Sequence, residues 1–504
     1  MNRFAKLSRA FPFVSALSRA FPKSEVYLVG GAVRDILLGR EVTDYDFVVR
    51  GVAARELARF LGKLGRVDLV GRVFGVLKFV PKKMKVELEP FDIALPRTET
   101  STGDGGYRDF VVRSDPRLRI EDDLARRDFT INAMAFQLPS FPASQRSADR
   151  LVDPFGGLQD LRKKTIRAVG KPAERFREDY SRMLRGLRFA MQLGFGIEEK
   201  TWKALVSLMP RINDEHETPK GPERVVPYET IARELLKALV ADPAKTIELW
   251  HDSRALKTLM PELLKMRGCP QPPNYHSEGD VWTHMIMALK VLRSPQFRRE
   301  FGKELPDAMT TLAVLFHDIG KPYTIQTPEK NGTDRIRFNE HDKIGAEVTE
   351  KIARRLHLSA PGEFGVDTEK LSWLIAHHLL AVHGNVVAMK ASTLEKYFFN
   401  PNVPGETLFK LMFADGSATI AENGKPMLTD YRALRARCGA LSKGAKRYTL
   451  PKPFLNGDEV MKLLKLKPGP EVGEALRALR EEQLASRVHT KAQAKIFLKK
   501  SHAQ

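Results

Sequence analysis

The sequence predicts an α+β protein, with a small mixed-sheet domain near the N-terminus and a mostly α-helical remainder. Three observations predict it. Short apolar runs of strand type alternate with helical spacing from residue 26 to residue 95. From about residue 162 onward helical periodicity dominates. A chain of 504 residues is also too long for one hydrophobic core, and suggests three to five domains.

The elements follow in order. Residues 1–25 are basic, contain LSRAFP twice, at 7–12 and 17–22, and have no acid before Glu25. Pro12 and Pro22 limit each copy to a short helix. The segment loosely resembles a transit peptide. Val26–Val29 then reads as a buried strand. Gly30-Gly31 follows at once, and AVRDILLG has helical spacing that stops at Gly39. A second apolar strand, Tyr45–Val49, is entered through Asp44-Tyr45-Asp46. Residues i and i+2 of a strand share a face, so Asp44 and Asp46 are expected to point the same way. Two adjacent carboxylates are costly to bury unpaired. Mg²⁺, which prefers oxygen ligands, would relieve that cost. A Gly-Gly turn opening a helix offers backbone N–H groups to an anion, and Arg34 adds charge one turn in. The combination describes a metal-bound nucleoside triphosphate; the bland alternative is an Asp-rich surface turn.

ARELARFLGKL (54–64) reads as an amphipathic helix, followed by strand-like runs at 67–70, 75–80 and 84–95. Asp92 lies on the last run, either as a third acid near the metals or as a solvated strand end. Residues 96–115, rich in Gly, Thr and charge, read as a mobile loop of the kind that covers active sites. Helical EDDLARR then runs into Asp128 and a strand-like TINAMAF, gathering Arg126, Arg127, Asp128 and Asn132 at the edge of an apolar element. LVDPFGGLQDL (151–161) is a turn.

Residues 162–188 carry ten Lys/Arg against three Asp/Glu. Within them REDYSRMLRGLRFAMQLGF is helical by pattern, with Met183, Leu184, Leu187, Ala190 and Met191 as one stripe. Glu178, Asp179 and Arg182 fall within one turn and can share a face. A further helix begins at Pro222-Glu223-Arg224. Nine of the 12 histidines lie in 246–430. HDIGKP places His317-Asp318 at the end of an apolar helix, and His284 sits on another. His341, His377-His378 and Asp415 follow. Imidazoles with carboxylates suit a transition metal; the alternative is a degenerate helical spacer. The tail holds a helix, a Pro-Gly-Pro turn and a second amphipathic helix.

GGAVRDILLGR followed by DYDFVV resembles the head signature of class II CCA-adding tRNA nucleotidyltransferases and the related bacterial poly(A) polymerases. The order H…HD…H…H…D resembles the HD phosphohydrolase superfamily. The resemblance runs from residue 26 to about 500. It implies a nucleotidyltransferase head (26–161), a helical neck for nucleotide recognition and RNA binding (162–245), an HD domain (246–430) and a tRNA-binding tail (431–504). Because these domains are bacterial in type, 1–25 is read as an accessory amphipathic extension.

The resemblance further implies that Asp44 and Asp46 are catalytic and bind two Mg²⁺ ions. Gly30, Gly31 and Arg34 would hold phosphates, and Arg126, Arg127, Asp128, Asn132 and Arg185 would help to bind the nucleotide. Asp179 and Arg182 would choose the base. A carboxylate only accepts and a guanidinium only donates. Cytosine and adenine both offer an amino donor beside a ring-nitrogen acceptor, the reverse of uracil and guanine. In the HD domain His284, His317, Asp318 and Asp415 would hold one metal, Ni²⁺, Mn²⁺ or Co²⁺. His341 and one of His377/His378, taken as His377, would serve a second.

The implied partners are the tRNA 3′ end, CTP and ATP. The net charge of +21 fits a polyanion partner. Two cysteines, Cys269 and Cys438, argue against a disulfide framework and for a reducing, cytoplasmic compartment. No apolar run approaches the roughly 20 residues needed to span a membrane. Three other readings fit less well. A poly(A) polymerase shares the head and neck but lacks reason for the HD domain and tail. An HD hydrolase with an RNA-positioning head, or a non-catalytic RNA-binding protein, has no need of the paired acids.

Overall fold

The computed structural model describes residues 10–70, 76–82, 89–101, 105–106, 110–138, 151–218, 221–383, 385–443 and 450–502. Residues 84–88 of the third strand-like run, and parts of the 96–115 segment, lie outside these. The chain divides into two compact units, Met1–Leu259 and Met260–Gln504.

In the first unit a seven-stranded mixed sheet forms in the order β3-β4-β5-β2-β1-β8-β9. Its strands are β1 (Glu25–Val29), β2 (Asp46–Arg50), β3 (Gly65–Val70), β4 (Val76–Pro81), β5 (Phe91–Ala94), β8 (Ala135–Leu138) and β9 (Leu151–Val152). All neighbours are antiparallel except β2 and β5. That parallel pairing aligns Asp46 with Asp92, while Val29 faces Asp46 from the other side. The end of β1 therefore delivers Gly30 to the place where the acids stand.

Two elements differ from expectation here. The 96–115 segment holds an antiparallel ribbon, β6 (Arg97–Ser101) with β7 (Phe110–Ser114), where the sequence suggested a loop. Among the described residues its strands pair with each other and with no strand of the large sheet. The described part of the N-terminal segment, residues 10–25, packs on the sheet. Helix α1 (Pro12–Ala20) opens with Pro12 in its first turn and buries Phe13, Val14 and Leu17. Phe11, 2% exposed, packs edge-on against Tyr45, Phe47 and Phe91, directly behind the acidic strand ends.

The helical part of this unit begins with α2 (Pro172–Glu178) and α3 (Ser181–Leu193). The sequence pattern read residues 177–195 as one helix. Asp179 breaks it: its backbone is extended, and its Oδ1 accepts from the Ser181 N–H at 2.8 Å. This local bond competes with helix continuation. Helix α3 ends at Gly194 in the left-handed region and packs on α4 (Tyr228–Ala241). Helix α5 (Pro243–Asp252) packs on both, and the first compact unit runs on to Leu259.

The second unit is built on α6 (Val281–Val291), α7 (Ala308–Phe316) and α9 (Gly405–Ala418), which pack on one another, and on α8 (His341–Arg355) against Thr368–His377. Helix α7 is buried at every position; seven of its nine residues are apolar, and the hydroxyls of Thr310 and Thr311 are satisfied by Asp307. In the tail the two expected helices stand on either side of the Pro-Gly-Pro turn, as α10 (Gly457–Leu464) and α11 (Pro470–Leu484), and α12 (Lys491–His502) follows them. They share a small core of Leu455, Val460, Val472, Leu479, Val488, Ala494 and Leu498.

Candidate active sites

The first unit holds a cleft of about 600 Å³. Its lining includes Gly31, Arg34, Asp46 and Asp92 at one end, Arg126, Arg127, Asp128 and Asn132 along a wall, and Asp179, Arg182 and Arg185 from the neck. These residues are spread over about 150 positions of sequence; Gly30 and Asp44, expected with them, are not among the residues that line the cleft.

Asp46 opens β2 and is half-buried; Asp44 is exposed and lies two residues before the strand begins. Burial, with the charges of Asp44 and Asp92 added, pushes the Asp46 carboxyl up to about 6. Burial with Glu89 and Asp92 raises Asp44 as well. Lys78 offsets part of this by pairing with Asp92 at 2.8 Å. A group of hard oxygen donors that repel one another is suited to a divalent cation. Gly30 sits at φ +72°, and a Cβ there would lie 2.5 Å from Arg127 Nη1 and 3.7 Å from Asp46 Oδ2. Only glycine lets the turn approach both the acid and the guanidinium.

The cationic wall is cross-braced. Arg34 chelates Asp35 with Nε and Nη2, at 3.0 and 2.7 Å, and donates from Nη1 to Asn132 Oδ1 at 2.6 Å. Asn132 Nδ2 in turn donates to Asp128 Oδ1 at 3.1 Å, and Arg185 donates to Asp128 Oδ2 from Nε at 2.8 Å. Burial opposes ionisation of Asp128, but the Arg185 charge and the bonds from Asn132 and Arg185 outweigh it, holding the carboxyl well below its usual range. Arg126 bridges Asp123 and Glu99 on the ribbon, at 3.0 and 2.6 Å. Arg182 is fixed by Glu178 Oε2 at 2.7 Å and by the carbonyls of Arg175 and Arg126, both at 3.2 Å. Asp179 Oδ2 stands 3.9 Å from Arg182 Nε. Phe189, which sequence reading missed, presents its ring to Arg34, Arg185 and Arg188 at 5.1, 5.5 and 4.0 Å from the centroid.

The second unit brings histidines and aspartates together from five helices or their C-terminal ends. His284 Nε2 lies 3.2 Å from His317 Nε2 and 3.1 Å from Asp415 Oδ1. Asp318 Oδ2 is 3.3 Å from His317 Nε2, and Asp318 Oδ1 is 3.4 Å from His341 Nε2. The ligand atoms of His284, His317 and Asp318, and those of Asp318, His341 and His378, lie within 4.8 Å of one another. Two imidazole nitrogens facing each other at 3.2 Å, between carboxylates, form a donor set that fits a transition metal.

The second group corrects one assignment. His378, not His377, approaches Asp318, at 3.8 Å. Successive helical residues point about 100° apart, and His377 turns instead to stack on Trp373 at 4.4 Å. Burial, with the His341 and His317 rings, drives the His378 pKa down to about 4, keeping it neutral and able to ligate.

Sequence reading also missed Lys321, whose Nζ donates to Asp318 Oδ2 and Gln271 Oε1, each at 2.7 Å, and Glu278, which lies beneath His284. HDIGKP pointed to the lysine. No periodicity marked the glutamate.

Residues 26–167 match the family model described as the poly A polymerase head domain, and residues 281–407 match the HD domain. Fold and sites together define an enzyme class, a nucleotidyltransferase head joined to an HD domain. The A-adding tRNA nucleotidyltransferase of Deinococcus radiodurans is 32% identical over 94% of this chain and 94% of its own length. The multifunctional CCA protein of an Acidovorax species is 33% identical over 72% of this chain and 73% of its own. The chain belongs to this family of tRNA nucleotidyltransferases. Among solved structures, the Bacillus stearothermophilus CCA-adding enzyme in complex with CTP superposes with a TM-score of 0.61 at 21% identity, covering 98% and 97% of the two chains. The Thermotoga maritima CCA-adding enzyme complexed with tRNA gives 0.53 at 22%, covering 98% and 95%. No helix among the described residues is long and apolar enough to cross a membrane.

Proposed function

We propose that this protein adds C, C and A to the 3′ end of tRNA, without a template, from CTP and ATP. One observation carries the reading. Asp46 and Asp92 line the same cleft as the Asp179–Arg182 pair, so a nucleotide can meet acids at its phosphates and the pair at its base. Asp44 and Asp46 would hold divalent ions, Mg²⁺ by the hardness of their oxygens, which when bound neutralise the triphosphate and activate the attacking 3′-hydroxyl. The Gly30-Gly31 turn and the guanidiniums of Arg34, Arg126 and Arg127 orient the phosphates. Asp128, braced by Asn132 and Arg185, holds the wall in register. Purified protein supplied with tRNA lacking its 3′ end, and with CTP or ATP separately, tests this. Incorporation of CMP, then of AMP, is expected. AMP alone would mark an A-adding enzyme like the Deinococcus relative, and long AMP runs a poly(A) polymerase.

Binding of tRNA should also depend steeply on salt. The basic run divides in the structure. Arg175, Arg182, Arg185 and Arg188 face the cleft or internal partners, while Arg162, Lys163, Lys164, Lys171 and Arg177 are exposed. In the tail Lys495, Lys499 and Lys500 are exposed. Each phosphate neutralised releases counterions and adds roughly 0.9 to the slope of log affinity against log salt. Replacing Lys163 and Lys164 with Ala should lower that slope by about one to two. An unchanged slope would assign these charges another purpose.

A second reading concerns the HD domain, and the convergence of His284, His317 and Asp415 favours it. We infer a phosphohydrolase dependent on Ni²⁺, Mn²⁺ or Co²⁺, acting on a 2′,3′-cyclic phosphate or a phosphate at a damaged RNA end. The double variant His317→Ala/Asp318→Ala should lose phosphohydrolysis and retain CMP and AMP addition. Assays with each metal in turn check this. The absence of turnover with every metal, and of metal in the purified protein, would support the spacer alternative.

A further inference from the structure

We propose that Glu278 is a positioning residue of the histidine–aspartate site: it fixes the tautomer and angle of His284, so that Nε2 is offered to a metal ion. The inference rests on the reading of that cluster as a metal site. Glu278 is a side chain 1% exposed, in the loop before α6. Its Oε1 accepts from His284 Nδ1 at 2.9 Å and from His276 Nδ1 at 2.7 Å, and its Oε2 accepts from the Ile420 N–H at 2.9 Å. An ionised carboxylate is acceptor-only, so both imidazoles must present Nδ1–H to it. His284 is then left with Nε2 for the space it shares with His317 and Asp415. A ligating histidine held through its other nitrogen by a carboxylate keeps its ring angle and gains basicity.

The second oxygen extends the effect. Ile420 lies just beyond α9, the helix that carries Asp415, and Thr419 Oγ1 donates to Asp415 Oδ1 at 3.2 Å. Glu278 therefore ties the start of α6 to the end of α9, and sets the spacing between two of the four donors. Glutamine is nearly isosteric but cannot replace it. With its oxygen toward the histidines, its NH₂ group meets the Ile420 N–H. Flipped, it donates to His284 Nδ1 and forces the proton to Nε2, where a metal must bind.

The test uses the full chain stripped of metal and titrated with Co²⁺, following visible d–d absorption and heat of binding. The native protein should take up Co²⁺, and Glu278→Gln should bind it about 10- to 100-fold more weakly with an altered spectrum. CMP addition, which uses the other unit, should be unchanged. Because the variant could disturb the local fold, a second measurement is made on the native chain. In metal-loaded protein labelled with ¹⁵N-histidine, the His284 ring should carry its proton on Nδ1. Native affinity and spectrum in Glu278→Gln, or a proton on Nε2 of metal-loaded His284, would overturn the proposal. Failure of the native protein to bind any Co²⁺ would overturn the metal reading itself, and the proposal with it.

Discussion

Asp46→Ala is expected to reduce CMP and AMP incorporation by at least about 1,000-fold, about 4 kcal/mol of transition-state stabilisation. Asp44→Ala should do the same. Asp92 does not stand free to take over, since it is engaged with Lys78 at 2.8 Å. Their removal should leave the fold intact. Asp46 is half-buried among like charges, so alanine relieves repulsion at the start of β2 and the ladder to β1 and β5 keeps its backbone bonds. Thermal unfolding within a few degrees of the parent, with incorporation lost, is the expected pair of results. Near-normal incorporation by either variant would place the metal-binding acids elsewhere.

What could be read from sequence divides along a physical line. Gly30, Asp44 and Asp46 fall within 17 residues, at the end of one apolar run and the entry to the next, so their nearness follows from a single strand–helix–strand unit. Contacts that depend on which elements pack together were not legible. Phe11 gives no hint that it will sit behind Tyr45 and Phe91, because nothing local separates a buried aromatic from an exposed one just before a short helix in a basic segment. The ribbon strands 97–101 and 110–114 lack apolar alternation, and the first of them turns Arg97 and Glu99 to the cleft. Asp179 ends a helix whose apolar stripe continues unbroken across it, and only its bond to Ser181 distinguishes it. His377 and His378 are chemically alike, so the choice between them waits on where Asp318 and His341 stand. Glu278 is a lone acid in a polar loop, and its importance appears only once His276, His284 and Ile420 surround it.

Asp179→Ala and Arg182→Ala should each erode the preference for CTP and ATP over UTP and GTP, by about 100-fold or more in relative kcat/KM. The two side chains offer one acceptor and one donor, held 3.9 Å apart. A base with an amino donor beside a ring-nitrogen acceptor satisfies both. Uracil or guanine sets a carbonyl against the carboxylate and an N–H against the guanidinium, leaving polar groups unpaired in a closed site. Rejection by unpaired groups is strong, and it disappears when the protein side of the pair is removed. The surroundings fix where the pair can act. Arg182 is anchored to Glu178 and two carbonyls, so it cannot swing away to admit a mismatch cheaply. Asp179 is pinned through Oδ1 to the Ser181 N–H, which leaves Oδ2 on the Arg182 side. Arg182→Ala should cost more than discrimination, because Glu178 loses an ion pair and the turn between α2 and α3 loses its brace. Asp179→Ala should be the cleaner variant, with affinity for tRNA unchanged. Incorporation assays with each of the four nucleotides decide the matter. If Asp179→Ala excludes UTP as strictly as the parent does, base choice lies with other residues of the cleft.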